Sequence, residues 1–273
     1  MANGKIWLNG GFVEGVRARL DVADRGFTLG DGLFETFAVR AGRVLRVHAH
    51  LARLRRGADA LRIPVPYDDA TLRHALSDTI RMNNVRDGAL RLTLSRGPSA
   101  RGLAPPEKPS PTILIVAQAG LPPETPARAI VARSARRDEG SALSRLKSLS
   151  YLEEVLARME ALDAGADEAL LLNTQGRIAD GAAATLFVVQ KDELLTPAVS
   201  EGALPGIVRA AAIRDLGAIE RALASEDVQA ADEAMLANSL GARALVALDG
   251  RAIGSGKEGA WGAKLRALAH ADE

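Results

Sequence analysis

Cysteine is missing from the 273-residue chain, and aromatic residues make up only 3% of it. The lack of cysteine excludes disulfides, thiolate metal sites and a cysteine nucleophile. The four histidines are too few and too far apart in sequence to predict a metal site. Because aromatics are scarce and alanine is abundant, we expect a core built mainly from aliphatic side chains.

The chain also lacks an excess of one charge and a long apolar run. The net charge is +1, with basic and acidic residues intermixed, so nothing indicates binding to nucleic acid or to an anionic membrane. No run approaches the length that spans a membrane, and the first residues do not resemble a signal peptide. We therefore expect a cytoplasmic protein with one large domain or two smaller ones.

Lysine is rare, with six lysines against 29 arginines. One of them, Lys147, directly precedes a predicted helix whose start is indicated by Ser150 and Glu153, the pattern of a capping box. Only a primary amine can form a Schiff base, so this lysine is a candidate for covalent catalysis, although a solvated surface lysine is the alternative. We expect the helix to bury its periodic apolar residues, which are Leu152, Val155, Leu156, Met159 and Leu162.

Strands and helices do not alternate regularly along the chain, which favours an α+β fold over a doubly wound parallel sheet. The domains predicted are residues 1–119 and 127–273, joined by a linker at 120–126. The second would carry Lys147. A loop rich in glycine and proline begins at Arg96, and loops of this length are usually functional or disordered. One predicted helix ends near Leu61, a second spans 69–82, and a third runs from Gly206 to Gly217. The predicted strands include 34–39, 90–95, 112–117, 168–172, 185–189 and 245–248.

Three further positions could contribute to a site. Gly206 precedes Ile207 and Val208 at a helix start, where free N–H groups bind anions, although a plain turn into a helix is the alternative. Arg53 lies in a basic helix and could reach inward to a phosphate or simply be solvated. Asp180 precedes a strand and could pair with a ring nitrogen or cap a turn.

Together these segments resemble the class IV aminotransferases, which are fold type IV of the enzymes that use pyridoxal phosphate. The resemblance extends over nearly the whole chain. The matching segments are residues 24–26, 30–36, 50–54, 95–97, 146–151, 166–170, 180–187, 204–207 and 232–233. It implies two α+β domains with pyridoxal 5′-phosphate between them, a small amine or amino acid as substrate, and a homodimer.

The resemblance also implies roles for individual residues. Lys147 would be the Schiff-base lysine and proton shuttle, and Asp180 would face the pyridine nitrogen. The other implied cofactor-binding residues are Arg53, Leu204, Ile207, Val208 and Ser239, and the implied substrate-binding residues are Phe34, Arg101 and Asn238. The chain departs from the family pattern at three positions: Asp180 replaces glutamate, Thr185 replaces asparagine, and Val208 replaces a frequent threonine.

Three segments of the sequence predict which reaction of the family the chain catalyses. Residues 95–102, 231–240 and 32–36 are most similar to 4-amino-4-deoxychorismate lyase, which forms 4-aminobenzoate and pyruvate, with Arg101 binding a carboxylate. The alternative is a transaminase for D-amino acids, branched-chain amino acids or (R)-amines with a 2-oxo acid acceptor. A carrier of pyridoxal phosphate without turnover is a third interpretation.

Overall fold

The computed structural model describes residues 4–272, which divide into two compact units. The N-unit comprises residues 4–122, 147–150 and 272, and the C-unit comprises residues 123–146 and 151–271. Lys147 thus lies in the N-unit, whereas the sequence placed it in the second domain. Among residues 4–272, no helix is both long enough and apolar enough to cross a membrane.

The described part of the N-unit is a six-stranded sheet with three α-helices. Its strands are β1 Lys5–Leu8, β2 Gly11–Glu14, β3 Gly32–Arg40, β4 Arg43–Val44, β5 Gly88–Ser95 and β6 Thr112–Ala119, and its helices are α1 Arg25–Leu29, α2 Val47–Leu61 and α3 Asp69–Met82. The strand order is β2-β1-β6-β5-β3-β4. Antiparallel β3 and β5 pair from Gly32↔Ser95 to Val39↔Gly88, so the centre of the sheet is regular.

The helices of the N-unit form where local sequence specifies them. The Asp68 side chain caps α3 by accepting a hydrogen bond from the Thr71 N–H at 2.8 Å. Leu51 and Leu54 of α2 and Leu72 and Leu76 of α3 are all buried and recur at helical spacing. This aliphatic core, with few aromatic side chains, agrees with the composition.

The described part of the C-unit is a nine-stranded sheet with four α-helices. Its strands are β7 Ala127–Arg137, β8 Glu168–Asn173, β9 Ile178–Gly181, β10 Thr185–Gln190, β11 Glu193–Thr196, β12 Ile219–Glu220, β13 Glu233–Asn238, β14 Gly241–Leu248 and β15 Arg251–Ala252, and its helices are α4 Leu152–Asp163, α5 Ile207–Leu216, α6 Ser225–Gln229 and α7 Ala260–His270. The strand order is β12-β11-β10-β13-β14-β7-β8-β9, with β15 paired to β14. Both units mix strands and helices, as the predicted α+β fold requires.

Two predictions about α4 were wrong. The residue before the helix is Tyr151, and no side chain caps it, so Ser150 and Glu153 do not form a capping box. The predicted buried stripe is exposed, with Leu152 at 76% and Met159 at 55% of full exposure. The helix instead buries Ala157 and Ala161 against small side chains of the C-unit.

Candidate active site

Lys147 is held against the first residues of β3 by main-chain hydrogen bonds. The Phe34 N–H donates to the Lys147 carbonyl at 2.9 Å, and the Leu149 N–H donates to the Gly32 carbonyl at 2.9 Å. The backbone around the lysine therefore adds a short antiparallel pairing to the sheet, with Leu33 opposite Ser148. The lysine therefore stands on an extended segment that these hydrogen bonds hold in place.

Two cationic groups lie over the ring of Phe34. The Lys147 Nζ atom is 4.4 Å from the ring centroid, and the Arg91 Cζ atom is 3.7 Å from it. Both distances are within the range of a cation–π interaction. Phe34, predicted to bind substrate, is thus a direct neighbour of the candidate catalytic lysine, and sequence reasoning did not identify Arg91.

Arg53 is buried, the first of the two alternatives that the sequence left open, and it has a protein partner that the sequence did not reveal. Its Nε and Nη2 atoms donate to Glu35 Oε1 and Oε2 at 2.8 and 2.7 Å, and His50 Nδ1 lies 2.6 Å from Oε2. Burial opposes ionisation of Glu35, but hydrogen bonds from Arg53 and His50 lower its pKa to about 2. Burial also lowers the pKa of His50 below its usual value, although Glu35 opposes this shift.

Arg101 is exposed in the loop between β5 and β6. It borders a cavity of about 400 Å³ that Arg25, Leu29 and Leu103 also line. Over residues 96–111 the loop contains neither helix nor strand, apart from one isolated β-bridge between Asp24 and Pro98.

Asp180 lies in β9 of the C-unit, a short strand that is absent from the strands predicted from the sequence. Its Oδ2 accepts from the Leu204 N–H at 3.1 Å, and its Oδ1 accepts from the Gly181 N–H at 3.2 Å. Burial raises the pKa of Asp180 to about 6, against the opposing effects of the Arg137 charge, the Leu204 hydrogen bond and Arg209.

Arg137 is a buried residue that the sequence analysis missed. Its Nε donates to the Gly202 carbonyl at 3.0 Å, its Nη2 to the Ser144 carbonyl at 2.6 Å and its Nη1 to Glu154 Oε1 at 2.7 Å. It therefore fixes the turn that leads to Leu204 and places a positive charge near Asp180.

The start of α5 has the properties expected of an anion site. The first N–H groups of a helix have no intrahelical partner. Gly206 is the residue before α5, and no side chain caps the helix there. A Cβ on Gly206 would lie 3.1 Å from Thr185 Oγ1, which makes a larger residue there unfavourable. The side chain of Val208 is buried with Phe187, so this helix end is firmly held.

Asn238 and Ser239 lie at the turn that joins β13 to β14. The Asn238 amide donates to the Ala183 carbonyl at 3.0 Å, while its Oδ1 accepts from the Leu240 N–H at 2.9 Å. The Asn238 side chain therefore connects this turn to the loop that follows β9. Its predicted contact with substrate, like the predicted role of Ser239, stays a prediction.

The described residues form two groups of predicted site residues, one in each unit. The N-unit carries Phe34, Arg53, Arg101 and Lys147, and the C-unit carries Asp180, Leu204, Ile207, Val208, Asn238 and Ser239. Sequence reasoning could have found Glu35, because it is the one carboxylate in a strand that is mostly apolar.

Comparison with known proteins gives consistent matches. Residues 32–246 match the family described as amino-transferase class IV. A protein of Methanocaldococcus jannaschii named "Putative branched-chain-amino-acid aminotransferase" is 34% identical over 271 residues, which cover 96% of this chain and 94% of the relative. An aminodeoxychorismate lyase of Bacillus subtilis is 29% identical over 244 residues, which cover 86% of this chain and 83% of the relative.

A solved structure agrees in fold. The T.th. branched-chain amino acid aminotransferase with pyridoxamine 5′-phosphate superposes with a TM-score of 0.91 at 27% identity. The superposition covers 98% of this chain and 93% of that structure. The described residues therefore have the fold of that enzyme over nearly their whole length.

Proposed function

Because the chain belongs to the class IV aminotransferases, we propose that it is a transaminase that moves the amino group of a branched-chain amino acid to a 2-oxo acid. The relative named as such an aminotransferase is 34% identical, against 29% for the lyase, and it covers more of the chain. The comparisons therefore favour the transaminase, the alternative of the sequence analysis, over the lyase that the sequence placed first.

The observation that carries this proposal is the pair of cations at the Phe34 ring. An amino-acid transaminase needs a primary amine beside the substrate α-carbon and a cation for a carboxylate. Lys147 supplies the amine, and the Arg91 guanidinium lies over the same ring at 3.7 Å. This arrangement supports an amino acid or 2-oxo acid, including a dicarboxylic acceptor, over a simple amine.

The family uses pyridoxal 5′-phosphate, and the described residues fit it. When bound, the cofactor accepts the electron pair released at the substrate α-carbon. We propose that Lys147 anchors it covalently and moves the proton. Arg53 and the N–H groups of Ile207 and Val208 would hold the phosphate.

Asp180 would hold a proton on the cofactor's ring nitrogen. Its pKa of about 6 leaves the carboxylate mostly ionised at neutral pH. The main-chain N–H of Leu204 orients that carboxylate. The side chain of Leu204 would pack against the ring, and Ser239 would complete the contacts to the cofactor.

We also propose that two copies of the chain associate in the cytoplasm. Helix α4 exposes five large apolar side chains at helical spacing, which is unusual for a surface that faces only water. These residues are Leu152, Val155, Leu156, Met159 and Leu162. Closed two-fold dimers are the commonest assembly of soluble chains.

The purified enzyme with its cofactor should be tested in three separate reactions that all contain 2-oxoglutarate. The amino donor is L-valine in the first, D-valine in the second and D-alanine in the third. Aminodeoxychorismate alone should be a fourth reaction. We expect glutamate and the branched 2-oxo acid from L-valine. Release of 4-aminobenzoate without amino transfer would restore the lyase, and transfer from D-alanine alone would indicate a D-amino-acid transaminase. Lys147→Arg, which retains a cation but no primary amine, should be inactive in every reaction.

A further inference from the structure

The β5–β6 loop, residues 96–111, is attached to the N-unit at its first residues. The Arg25 N–H donates to the Gly97 carbonyl at 3.0 Å, and the Ser99 N–H donates to the Ala23 carbonyl at 3.3 Å. Gly97 has a φ of +84°, and a Cβ there would lie 1.7 Å from the Ser110 carbonyl oxygen, so only glycine fits this close approach. These contacts end two residues before Arg101.

Directly after Arg101, residues 102–104 are held by one side chain. Arg25 Nη1 donates to the Gly102 carbonyl at 2.9 Å, and Nη2 donates to the Leu103 carbonyl at 2.9 Å. Weaker contacts at 3.4 Å join Nη1 to Ser99 Oγ and to the Ala104 carbonyl. Within residues 4–272, the carbonyls of residues 102–104 accept hydrogen bonds from Arg25 alone.

Arg25 is itself rigidly held. It is the first residue of α1, which the Asp24 side chain caps by accepting from the Gly26 N–H at 2.8 Å. The Arg25 Nε donates to Asp31 Oδ2 at 2.8 Å, and the guanidinium is buried. Because both the helix and the guanidinium are fixed, the carbonyls that Arg25 binds are fixed too.

Arg96 is a natural control for Arg25. It also donates to Asp31, with Nε to Oδ2 at 2.7 Å and Nη2 to Oδ1 at 3.0 Å. Its remaining hydrogen bonds go to the carbonyls of Leu61 and Arg62 at the end of α2, not to residues 102–104. The two arginines therefore share one carboxylate but hold different segments.

We infer that Arg25 is a positioning residue whose side chain holds the main chain directly after Arg101, so that the Arg101 guanidinium can bind the substrate carboxylate. This rests on the proposed function, because it requires an amino-acid substrate with a carboxylate, and on the carboxylate-binding role that the family resemblance implies for Arg101. Without the hydrogen bonds from Arg25, the loop would have to become ordered when substrate binds, and the entropic cost of this ordering would weaken substrate binding. Loss of Arg25 should therefore raise KM much more than it lowers kcat.

The test compares Arg25→Met, Arg96→Met and Arg101→Met, each measured as the holoenzyme with L-valine and 2-oxoglutarate. We expect Arg25→Met and Arg101→Met to raise KM by about tenfold or more, with kcat changed by less than about threefold. Arg96→Met should leave KM within about twofold of wild type. If Arg25→Met does not fold, Arg25→Lys replaces it, because lysine keeps the charge beside Asp31 but cannot donate to two carbonyls as a fork.

The double variant separates this inference from the proposed function. If Arg25 acts through Arg101, Arg25→Met should add less than about twofold to the KM of Arg101→Met. If Arg101→Met leaves KM unchanged, the carboxylate role of Arg101 is wrong. If Arg101→Met raises KM but Arg25→Met does not, or if their effects multiply, the positioning role is wrong and the carboxylate role stands.

Hydrogen exchange of the cofactor-free protein gives a readout that does not depend on activity. The amides of residues 99–104 should exchange faster in Arg25→Met, while the amides of α2 should not. In Arg96→Met the pattern should be reversed, with the end of α2 affected. Equal exchange in residues 99–104 of wild type and Arg25→Met would contradict the inference.

Discussion

Glu35 holds the guanidinium of Arg53 through two parallel hydrogen bonds of 2.8 and 2.7 Å, and both side chains are buried. This bidentate pair fixes the direction in which Arg53 faces. The carboxylate lies in β3 next to Phe34, so the strand that contacts Lys147 also orients Arg53. The proposed phosphate ligand is therefore placed by the protein itself.

The first prediction is that Glu35→Gln lowers the free energy of unfolding by about 3–5 kcal/mol at pH 7, since it leaves the buried Arg53 charge without its counter-ion. Urea unfolding would measure this. The matched control is Asp69→Asn, because Asp69 pairs with Arg55 of α2 while both are about one-third exposed. That change should cost less than about 1 kcal/mol. Equal losses in the two variants would contradict the buried-pair argument.

The second prediction concerns the lysine. Borohydride reduction of the protein loaded with pyridoxal 5′-phosphate should attach the cofactor to Lys147 and to none of the other five lysines. Peptide mass spectrometry would locate the label. Lys147→Arg keeps a cation next to Phe34 but should take up no label there. A label on another lysine in the wild-type protein would refute the assignment of the catalytic residue.

Much of the fold was predictable because its signals are local. The Asp68 cap and the leucines of α3 specify that helix from one short segment, and the observed helix, Asp69–Met82, has the predicted bounds. Strand β9 was missed because it is only four residues long and contains Asp180 and Gly181, which are uncommon in strands.

The rest could not be predicted because it depends on contacts between distant segments. The apolar spacing of α4 correctly indicates a helix but does not reveal which side faces the core, and alanines occupy the buried side. Arg25 binds carbonyls that are 77 and 78 residues away, and no sequence pattern marks such a pair. The candidate site residues were identified through a family resemblance, but the side chains that hold them were not.

The third prediction is a pH dependence set by Asp180. Its pKa is raised from 3.8 to about 6, so the folded state favours the protonated carboxyl. This contribution to stability is fully present below about pH 4 and is lost as the pH rises through about 6. Without cofactor, wild type should therefore lose stability relative to Asp180→Asn between pH 4 and about 7.

Urea unfolding of both cofactor-free proteins across this range would test that prediction, with the difference between them as the readout. The ionised carboxylate is also the form that pairs with a protonated ring nitrogen. Cofactor affinity of wild type should therefore fall as the pH drops below about 6, and that fall should be absent in Asp180→Asn. The same pH profile in both proteins would show that another group titrates.

The last prediction tests whether the exposed apolar side of α4 forms the proposed interface between two copies of the chain. Met159 is 55% exposed in the middle of the apolar stripe, and a carboxylate there would be transferred from water into the proposed interface. Met159→Glu should therefore raise the dimer dissociation constant by at least about tenfold, equivalent to about 1.4 kcal/mol. The control is Met82→Glu, which introduces the same side chain at a methionine that is 39% exposed at the end of α3. Sedimentation velocity over a range of concentrations would measure both constants. We expect wild type and Met82→Glu to stay dimeric where Met159→Glu dissociates, whereas a monomeric wild type, or two variants that dissociate alike, would show that α4 does not form the interface.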